Sequence, residues 1–129
     1  MTEPIDESGL ALATLAAQVA DSSKATDIVI FDVGEVLSIT GYFVVAGASN
    51  PRLVRATVDE IERRAKSDLD RSPLRTEGMR EQQWILMDYG DVVIHVFLDS
   101  IREFYEIERL YLDVPRIDWT PAADGDAAN

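Results

Sequence analysis

The 129-residue sequence contains no cysteine, one histidine, and half as many basic as acidic residues. Without cysteine it has no disulfide, no thiolate metal site and no cysteine nucleophile, and one histidine is too few for a histidine-rich zinc centre. No apolar run approaches the roughly 20 residues that cross a bilayer. The amino-terminal segment lacks the basic start of a signal peptide and is acidic where a transit peptide would be arginine-rich. A soluble, cytoplasmic protein without membrane contact is therefore expected.

The charge balance is the strongest constraint from composition. Twelve lysines and arginines against 24 aspartates and glutamates give a net charge of −12. Such a surface repels a phosphate backbone, so independent binding to nucleic acid is not expected unless one face is locally basic. It would attract a basic protein, although solubility alone is the simpler explanation of the charge. The 47% apolar and 28% charged residues are ordinary for a globular protein, and the length suits one domain.

Hydrophobic periodicity predicts the order helix, two strands, helix, two or three strands, helix. Ser49-Asn50-Pro51 is a helix start and Ser72-Pro73 a helix stop, while Gly90-Asp91 predicts a tight hairpin. Ser100 and Glu103 have the spacing of a capping box. The fold class is therefore α/β, a single domain with a mixed β-sheet flanked by helices. Helices are predicted over 5–22, 51–69 and from 100 to before Pro115, and strands over 27–33, 42–48, 74–78, 84–89 and 92–98.

Several carboxylates could hold a metal ion for phosphoryl transfer, because hard cations prefer oxygen ligands. Asp32 ends a strand, and Asp88 and Asp91 flank the hairpin turn. However, Asp27 and Asp32 are five residues apart on one strand, whereas two metal ligands on a strand need an even spacing. His95 lies mid-strand between apolar residues, which favours a partly buried, hydrogen-bonded structural histidine over a catalytic base. No P-loop, nucleophile elbow or dinucleotide-binding glycine motif is present.

The first hairpin strand carries large apolar side chains on both of its sides. Trp84, Leu86 and Asp88 point one way, and Ile85, Met87 and Tyr89 point the other. One set must face the core, and the other is either covered by further helices or left for a partner. In the last helix, helical spacing predicts that Phe104, Ile107 and Tyr111 pack on the sheet, whereas Tyr105, Glu106 and Glu108 lie off that stripe.

Two ordered blocks of sequence resemble the ribosomal silencing factor (Iojap) family. The first block has Lys24-Ala25-Thr26-Asp27-Ile28, then Asp32-Val33, then Tyr42-Phe43-Val44-Val45. The second has Glu77-Gly78, the run WILMDYGDVVIHVF over residues 84–97, and REFYEIERLY over residues 102–111. Together these motifs cover roughly residues 10–115, which we take as an Iojap-like domain of residues 1–115 followed by an acidic, disordered tail of residues 116–129.

The resemblance implies a nucleotidyltransferase-like fold without catalytic activity or cofactor, and often a homodimer. It implies binding to ribosomal protein fourteen of the large subunit, which blocks joining of the small subunit and represses translation when nutrients are scarce. The alternative is a metal-dependent nucleotidyltransferase or phosphohydrolase using Asp32, Asp88 and Asp91. Many members of the family carry Trp where this chain has Tyr111, and the tail after Pro115 is longer than in compact members. Carried onto this chain, the implied partner contacts are Trp84, Leu86, Asp88, Tyr89 and Gly90, with Tyr105 and Glu106 as weaker candidates.

Overall fold

A computed structural model describes residues 7–38 and 40–120, and in them a six-stranded mixed sheet lies at the centre of the fold. The strand order is β3-β4-β5-β2-β1-β6, with β2 and β5 parallel and every other neighbouring pair antiparallel. This confirms the predicted mixed sheet flanked by helices. The elements are α1 (Glu7–Ser22), β1 (Thr26–Asp32), α2 (Gly34–Leu37), β2 (Tyr42–Ala48), α3 (Pro51–Leu69), β3 (Arg75–Glu77), β4 (Trp84–Asp88), β5 (Val92–Leu98), α4 (Asp99–Tyr105), a 3₁₀ helix (Ile107–Tyr111) and β6 (Arg116–Ile117).

The two long helices, α1 and α3, pack side by side on one face of the sheet. The start of α3 is fixed as predicted, because the Asn50 side chain accepts a hydrogen bond from the Leu53 amide at 2.8 Å and Pro51 occupies the first turn. The predicted stripe of Val54, Val58, Ile61 and Ala65 is fully buried against the sheet. The apolar periodicity of α3 therefore determines which face of the sheet becomes the main core. None of the helices in the described residues is both long enough and apolar enough to cross a membrane.

The predicted hairpin is formed by β4 and β5. The Tyr89 amide donates to the Val92 carbonyl at 2.9 Å, and Gly90 adopts a φ of +92°, which glycine tolerates without strain. The central pair, β2 and β5, is parallel over its full length and largely buried. The hairpin is thus anchored at the middle of the sheet, while β3 lies at its edge.

The last helix differs from its prediction. It begins at Asp99 with Leu98 as its cap and no side-chain capping bond, so the capping box at Ser100 and Glu103 is wrong. It ends at Tyr105, the capping residue Glu106 has a φ of +50°, and a 3₁₀ helix follows. This break changes the direction of the next residues, so Ile107 packs on the sheet while Phe104 is 78% exposed. The expectation that Phe104 packs on the sheet is therefore wrong.

The folded part extends beyond the predicted boundary at residue 115. In β6, Ile117 pairs with Ile30 of β1, and the Trp119 indole nitrogen donates to the Ile28 carbonyl at 3.2 Å. The carbonyl of Trp119 in turn accepts from the Gln18 amide nitrogen at 3.1 Å. Residues 116–120 thus belong to the domain rather than to a tail. The prediction for residues 121–129 lies outside the described residues, as do the first two residues of the predicted first helix.

Candidate protein-binding surface

The two faces of the sheet are covered to different extents. On the face opposite α1 and α3, Ile107 and Tyr111 of the 3₁₀ helix pack over Phe31 and Val45. Towards β4 this cover ends, and Trp84, Leu86 and Asp88 remain partly exposed, whereas Ile85, Met87 and Tyr89 are buried under the helices. This decides which side of the hairpin faces outward. We use the name open sheet face for the partly uncovered surface formed by Trp84, Leu86, Val93 and Tyr105.

Trp84 is held in one orientation by three neighbours. Its ring stacks on Phe97 with 4.6 Å between ring centroids and lies 5.3 Å from the Tyr105 ring. Its indole N–H donates to Nδ1 of His95 at 3.1 Å. A partly exposed tryptophan fixed in this way meets a partner without losing much further side-chain freedom, which favours binding.

His95 supports the open sheet face from below. Its side chain is buried, and burial lowers the pKa of the imidazole to about 4, so the ring is neutral at neutral pH. Because Nδ1 accepts the Trp84 N–H, the single proton of the neutral ring is on Nε2. The structure confirms the predicted hydrogen bond of this histidine and shows that its side chain is buried more completely than predicted.

Tyr105 and Glu106 lie at the end of α4, next to Trp84. Tyr105 is 55% exposed, and its ring meets Phe104 edge-on at 5.0 Å. The Glu106 carboxylate accepts from the Arg109 guanidinium at 2.8 Å and is exposed. Both predicted residues are therefore exposed at the end of α4, as is Phe104.

The buried Arg102 fixes this end of the surface, and sequence reasoning did not identify it. Its Nη2 donates to the Asp27 carbonyl at 2.6 Å, and its Nε donates to Glu108 at 2.6 Å. Gly47 leaves the necessary space, because a Cβ there would lie 2.5 Å from an Asp99 oxygen and 3.2 Å from Arg102 Nη1. Arg102 thereby connects α4 and the 3₁₀ helix to β1 and positions Tyr105. The one available signal was an arginine within an otherwise amphipathic segment, which does not by itself predict burial.

Tyr89 does not belong to the exposed part of this surface. It is only 4% exposed, lies on the helix-covered side of the sheet, and has the Arg71 guanidinium 5.9 Å from its ring centre. Burial raises the pKa of its hydroxyl to about 12. The prediction that Tyr89 contacts a partner is corrected for a simple reason: alternation along β4 turns it away from Trp84 and Leu86.

Asp88 and Gly90 shape the hairpin turn at the other end of the surface. Asp88 accepts from the Gly90 amide at 2.8 Å and from Arg75 Nε at 3.2 Å. Both residues are partly exposed and line a pocket of about 200 Å³ on the open sheet face. The apolar walls of this pocket come from four residues: Leu37, Phe43, Leu86 and Val93.

The three aspartates proposed as metal ligands are engaged separately. Asp32 accepts from the Gly34 amide at 3.3 Å, Asp88 from the hairpin turn, and Asp91 pairs with Arg71 at 2.6 Å. Across residues 7–38 and 40–120, no group of three or more His, Cys, Asp and Glu side chains is placed to hold a metal ion. The geometry thus gives the metal-dependent alternative no assembled site.

Four of the five basic side chains of α3 are paired with carboxylates. Arg55, Arg64 and Lys66 each pair with an aspartate four residues later, at distances between 2.8 and 3.1 Å. Arg63 pairs with Glu60. Since these pairs cancel the positive charge locally, the helix presents a mixed, solvated surface rather than an electrostatic site for nucleic acid.

Comparison with known proteins gives consistent results. The sequence profile described as "Ribosomal silencing factor during starvation" matches residues 6–129. Ribosomal silencing factor RsfS of Bacillus subtilis is 33% identical over 107 residues, covering 81% of this chain and 87% of that protein. The chloroplastic Iojap protein of Arabidopsis thaliana is 32% identical over 115 residues, covering 88% of this chain and 47% of that protein.

Two crystal structures also resemble this fold. A protein from Bacillus halodurans superposes with a TM-score of 0.73 at 28% identity, covering 84% of this chain and 98% of that one. A protein from Chromobacterium violaceum superposes with a TM-score of 0.76 at 28% identity, covering 89% of this chain and 95% of that one. The structural similarity therefore extends over most of the chain.

Proposed function

The chain belongs to the ribosomal silencing factor family, and on that premise we propose that it represses translation by binding the large ribosomal subunit and blocking the small one. The proposed contact on the large subunit is its protein fourteen. Binding acts sterically, in the cytoplasm and under nutrient limitation, with no bond made or broken. A mouse relative, 33% identical over 90 residues, is named for mitochondrial assembly of the ribosomal large subunit, which supports the choice of that subunit.

The observation that carries this proposal is the partly uncovered aromatic surface on a sheet that is otherwise packed on both faces. Interfaces draw most of their energy from a few rigid, well-packed aromatic anchors. Trp84 meets that description, since it packs against Phe97 and His95, and the Tyr105 ring lies 5.3 Å from it. The proposed contacts are Trp84, Leu86, Asp88, Gly90, Tyr105 and Glu106.

The charge of the chain supports a protein partner rather than ribosomal RNA. The net charge is −12, and four of the five basic residues of α3 are paired with carboxylates. A basic ribosomal protein would be attracted to this surface over a range of about a Debye length, whereas bare phosphate would be repelled. Association should therefore be faster at low ionic strength.

The test is a subunit-joining experiment with purified components. Isolated large and small subunits are mixed with increasing amounts of the protein and separated on a sucrose gradient, without any nucleotide. The complete-ribosome peak should fall as the protein appears in the large-subunit fraction. Unchanged joining at saturating protein would refute the proposal.

A matched pair of variants locates the contact. Tyr105→Ala removes an exposed ring from the open sheet face, and Arg63→Ala removes an exposed side chain from α3 on the opposite side of the sheet. We expect Tyr105→Ala to weaken large-subunit binding about tenfold, the effect of losing roughly 1.4 kcal/mol of interface energy. Arg63→Ala should bind normally, and both should unfold within a few degrees of the unmodified protein.

A further inference from the structure

Arg71 connects the end of α3 to the turn of the hairpin. Its backbone amide donates to the Ala65 carbonyl at 3.0 Å, which fixes its main chain to the end of α3. Its guanidinium donates to the Asp91 carboxylate at 2.6 Å and to the Tyr89 carbonyl at 3.3 Å. The same guanidinium donates to the Ser8 hydroxyl of α1 at 2.9 Å. One side chain therefore joins both long helices to the turn between β4 and β5.

The peptide unit between Tyr89 and Gly90 transmits this contact to the open sheet face. Its carbonyl accepts from Arg71, and its N–H donates to the Asp88 carboxylate at 2.8 Å. A trans peptide is planar, and its carbonyl and N–H point in opposite directions. One orientation of this unit therefore serves both hydrogen bonds, and a rotation of the unit would break both. Arg71 thereby fixes the orientation of the Asp88 carboxylate through the backbone.

The sequence of the turn does not by itself hold it in one conformation. Gly90 has a φ of +92° and no side chain, so its backbone can reach more conformations than that of other residues. Asp88 and Asp91 place two negative charges in the same short turn, and these charges repel each other unless cations balance them. Arg71 supplies one of these cations, at Asp91. The turn is thus ordered by a residue that lies outside it.

Arg71 approaches the turn from the side of the sheet that α1 and α3 cover. Its guanidinium lies 5.9 Å from the centre of the buried Tyr89 ring, and its side chain is 24% exposed. The open sheet face is on the opposite side. Arg71 is therefore placed to hold the turn rather than to meet a partner on the open sheet face.

We propose, on the basis of the function proposed above, that Arg71 is a positioning residue for binding to the large subunit. It holds the peptide unit of the turn so that Asp88 and Gly90, two of the proposed contacts, have their bound geometry before the partner arrives. A turn that is ordered in advance does not have to be ordered on binding. If the turn without Arg71 has this geometry about a tenth of the time, the apparent affinity falls about tenfold.

Two arginine variants form a matched test. Arg71→Met and Arg64→Met each remove an arginine that pairs with an aspartate, and each makes the net charge of −12 more negative by one. A general attraction to a basic partner would change equally in both. In co-sedimentation with isolated large subunits, we expect Arg71→Met to bind about tenfold more weakly than the unmodified protein and Arg64→Met to bind no more weakly. Equal affinity of the two variants would overturn the positioning proposal while the proposed function stands. Failure of the unmodified protein to co-sediment would overturn both.

Arg71→Lys provides the same test if Arg71→Met does not fold. It keeps the positive charge beside Asp91, but one ammonium group cannot replace the planar fork that reaches both the Asp91 carboxylate and the Tyr89 carbonyl. Binding of Arg71→Lys should therefore also be weaker than that of the unmodified protein. Unchanged affinity of this variant would show that charge alone is sufficient and would overturn the proposal.

Amide hydrogen exchange of the free protein separates positioning from a general loss of stability. The Gly90 amide, which donates to Asp88, should exchange several-fold faster in Arg71→Met than in Arg64→Met. The amide of Ile61, in the middle of α3, should exchange at the same rate in both variants. If the Gly90 amide exchanges equally fast in both, or if its exchange rises only in parallel with that of Ile61, Arg71 does not position the turn and the proposal is overturned.

Discussion

The titration of His95 is by itself enough to destabilise the fold when the pH is lowered from about 7.5 to about 5. Burial lowers the pKa of its imidazole from 6.5 to about 4 in the folded chain. Between these values the unfolded state binds a proton that the folded state does not, so stability is complete above pH 6.5 and falls as the pH approaches 4. At pH 5 the unfolded imidazole is almost fully protonated and the folded one about a tenth protonated. The expected loss of unfolding free energy is about 2 kcal/mol.

The surroundings of His95 support this assignment. The rings and side chains against it are those of Phe43, Trp84 and Phe97, none of which is charged. The ionisable groups that line the pocket beside it, Arg75 and Asp88, bind each other. Among the described residues that line the pocket, the carboxylate of Asp88 is paired with Arg75 rather than with the imidazole, and burial sets the direction of the pKa shift.

Urea unfolding at both pH values, for the unmodified protein and for His95→Gln, measures the effect. The unmodified protein should lose about 2 kcal/mol more than the variant, which has no imidazole to titrate. An NMR titration of the folded protein provides a check that does not depend on the variant folding well. If the imidazole of the folded protein titrates near pH 6.5, or if both proteins lose equal stability, the reasoning is refuted.

Three further predictions concern single contacts. Trp84→Phe should lower stability by about 1–2 kcal/mol, because His95 Nδ1 loses its donor, and NMR of the ¹⁵N-labelled imidazole should show that the proton is no longer confined to Nε2. Tyr89→Phe removes a buried hydroxyl that has no hydrogen-bond partner among residues 7–38 and 40–120, so thermal unfolding should occur at the same or a higher temperature and large-subunit binding should be unaffected. Truncation after Pro115 should lower the unfolding midpoint in urea, because the pairing of β6 with β1 and the bonds of Trp119 are lost; an unchanged midpoint would restore the boundary predicted at residue 115.

The sequence predicts best the elements whose start or turn is set by residues close to it in the chain. The start of α3 depends on Asn50 and Pro51, and the hairpin depends on Gly90, all within a few residues of the feature they control. The break at Glu106 has no such signal, because it is a non-glycine residue with positive φ. The hydrogen bonds of Arg102 hold the segment around Glu106 in place. One of them joins Arg102 to Asp27, which is 75 positions away in the sequence. With only two residues, β6 is too short to show a detectable alternation of apolar and polar side chains.

In the candidate surface, too, the sequence predicts the features that have local signals but not those that depend on distant contacts. Alternation along β4 separates Trp84 and Leu86 from Tyr89, but it does not say which group is covered. That choice depends on α1 and α3 packing against one side, which is a tertiary event. The pocket containing Thr40 and His95 is assembled by the parallel pairing of β2 with β5, across about fifty residues of sequence, and nothing local encodes it.

The short outer strands have a consequence for how other proteins can attach. One border of the sheet is the three-residue β3, which carries Arg75 and Glu77, and the other is the two-residue β6. Neither offers enough free backbone amides and carbonyls to template an added strand, and charged groups on β3 further discourage it. The short edge strands therefore disfavour the binding of a partner by β-augmentation. They also disfavour edge-to-edge aggregation, which uses the same backbone hydrogen bonds.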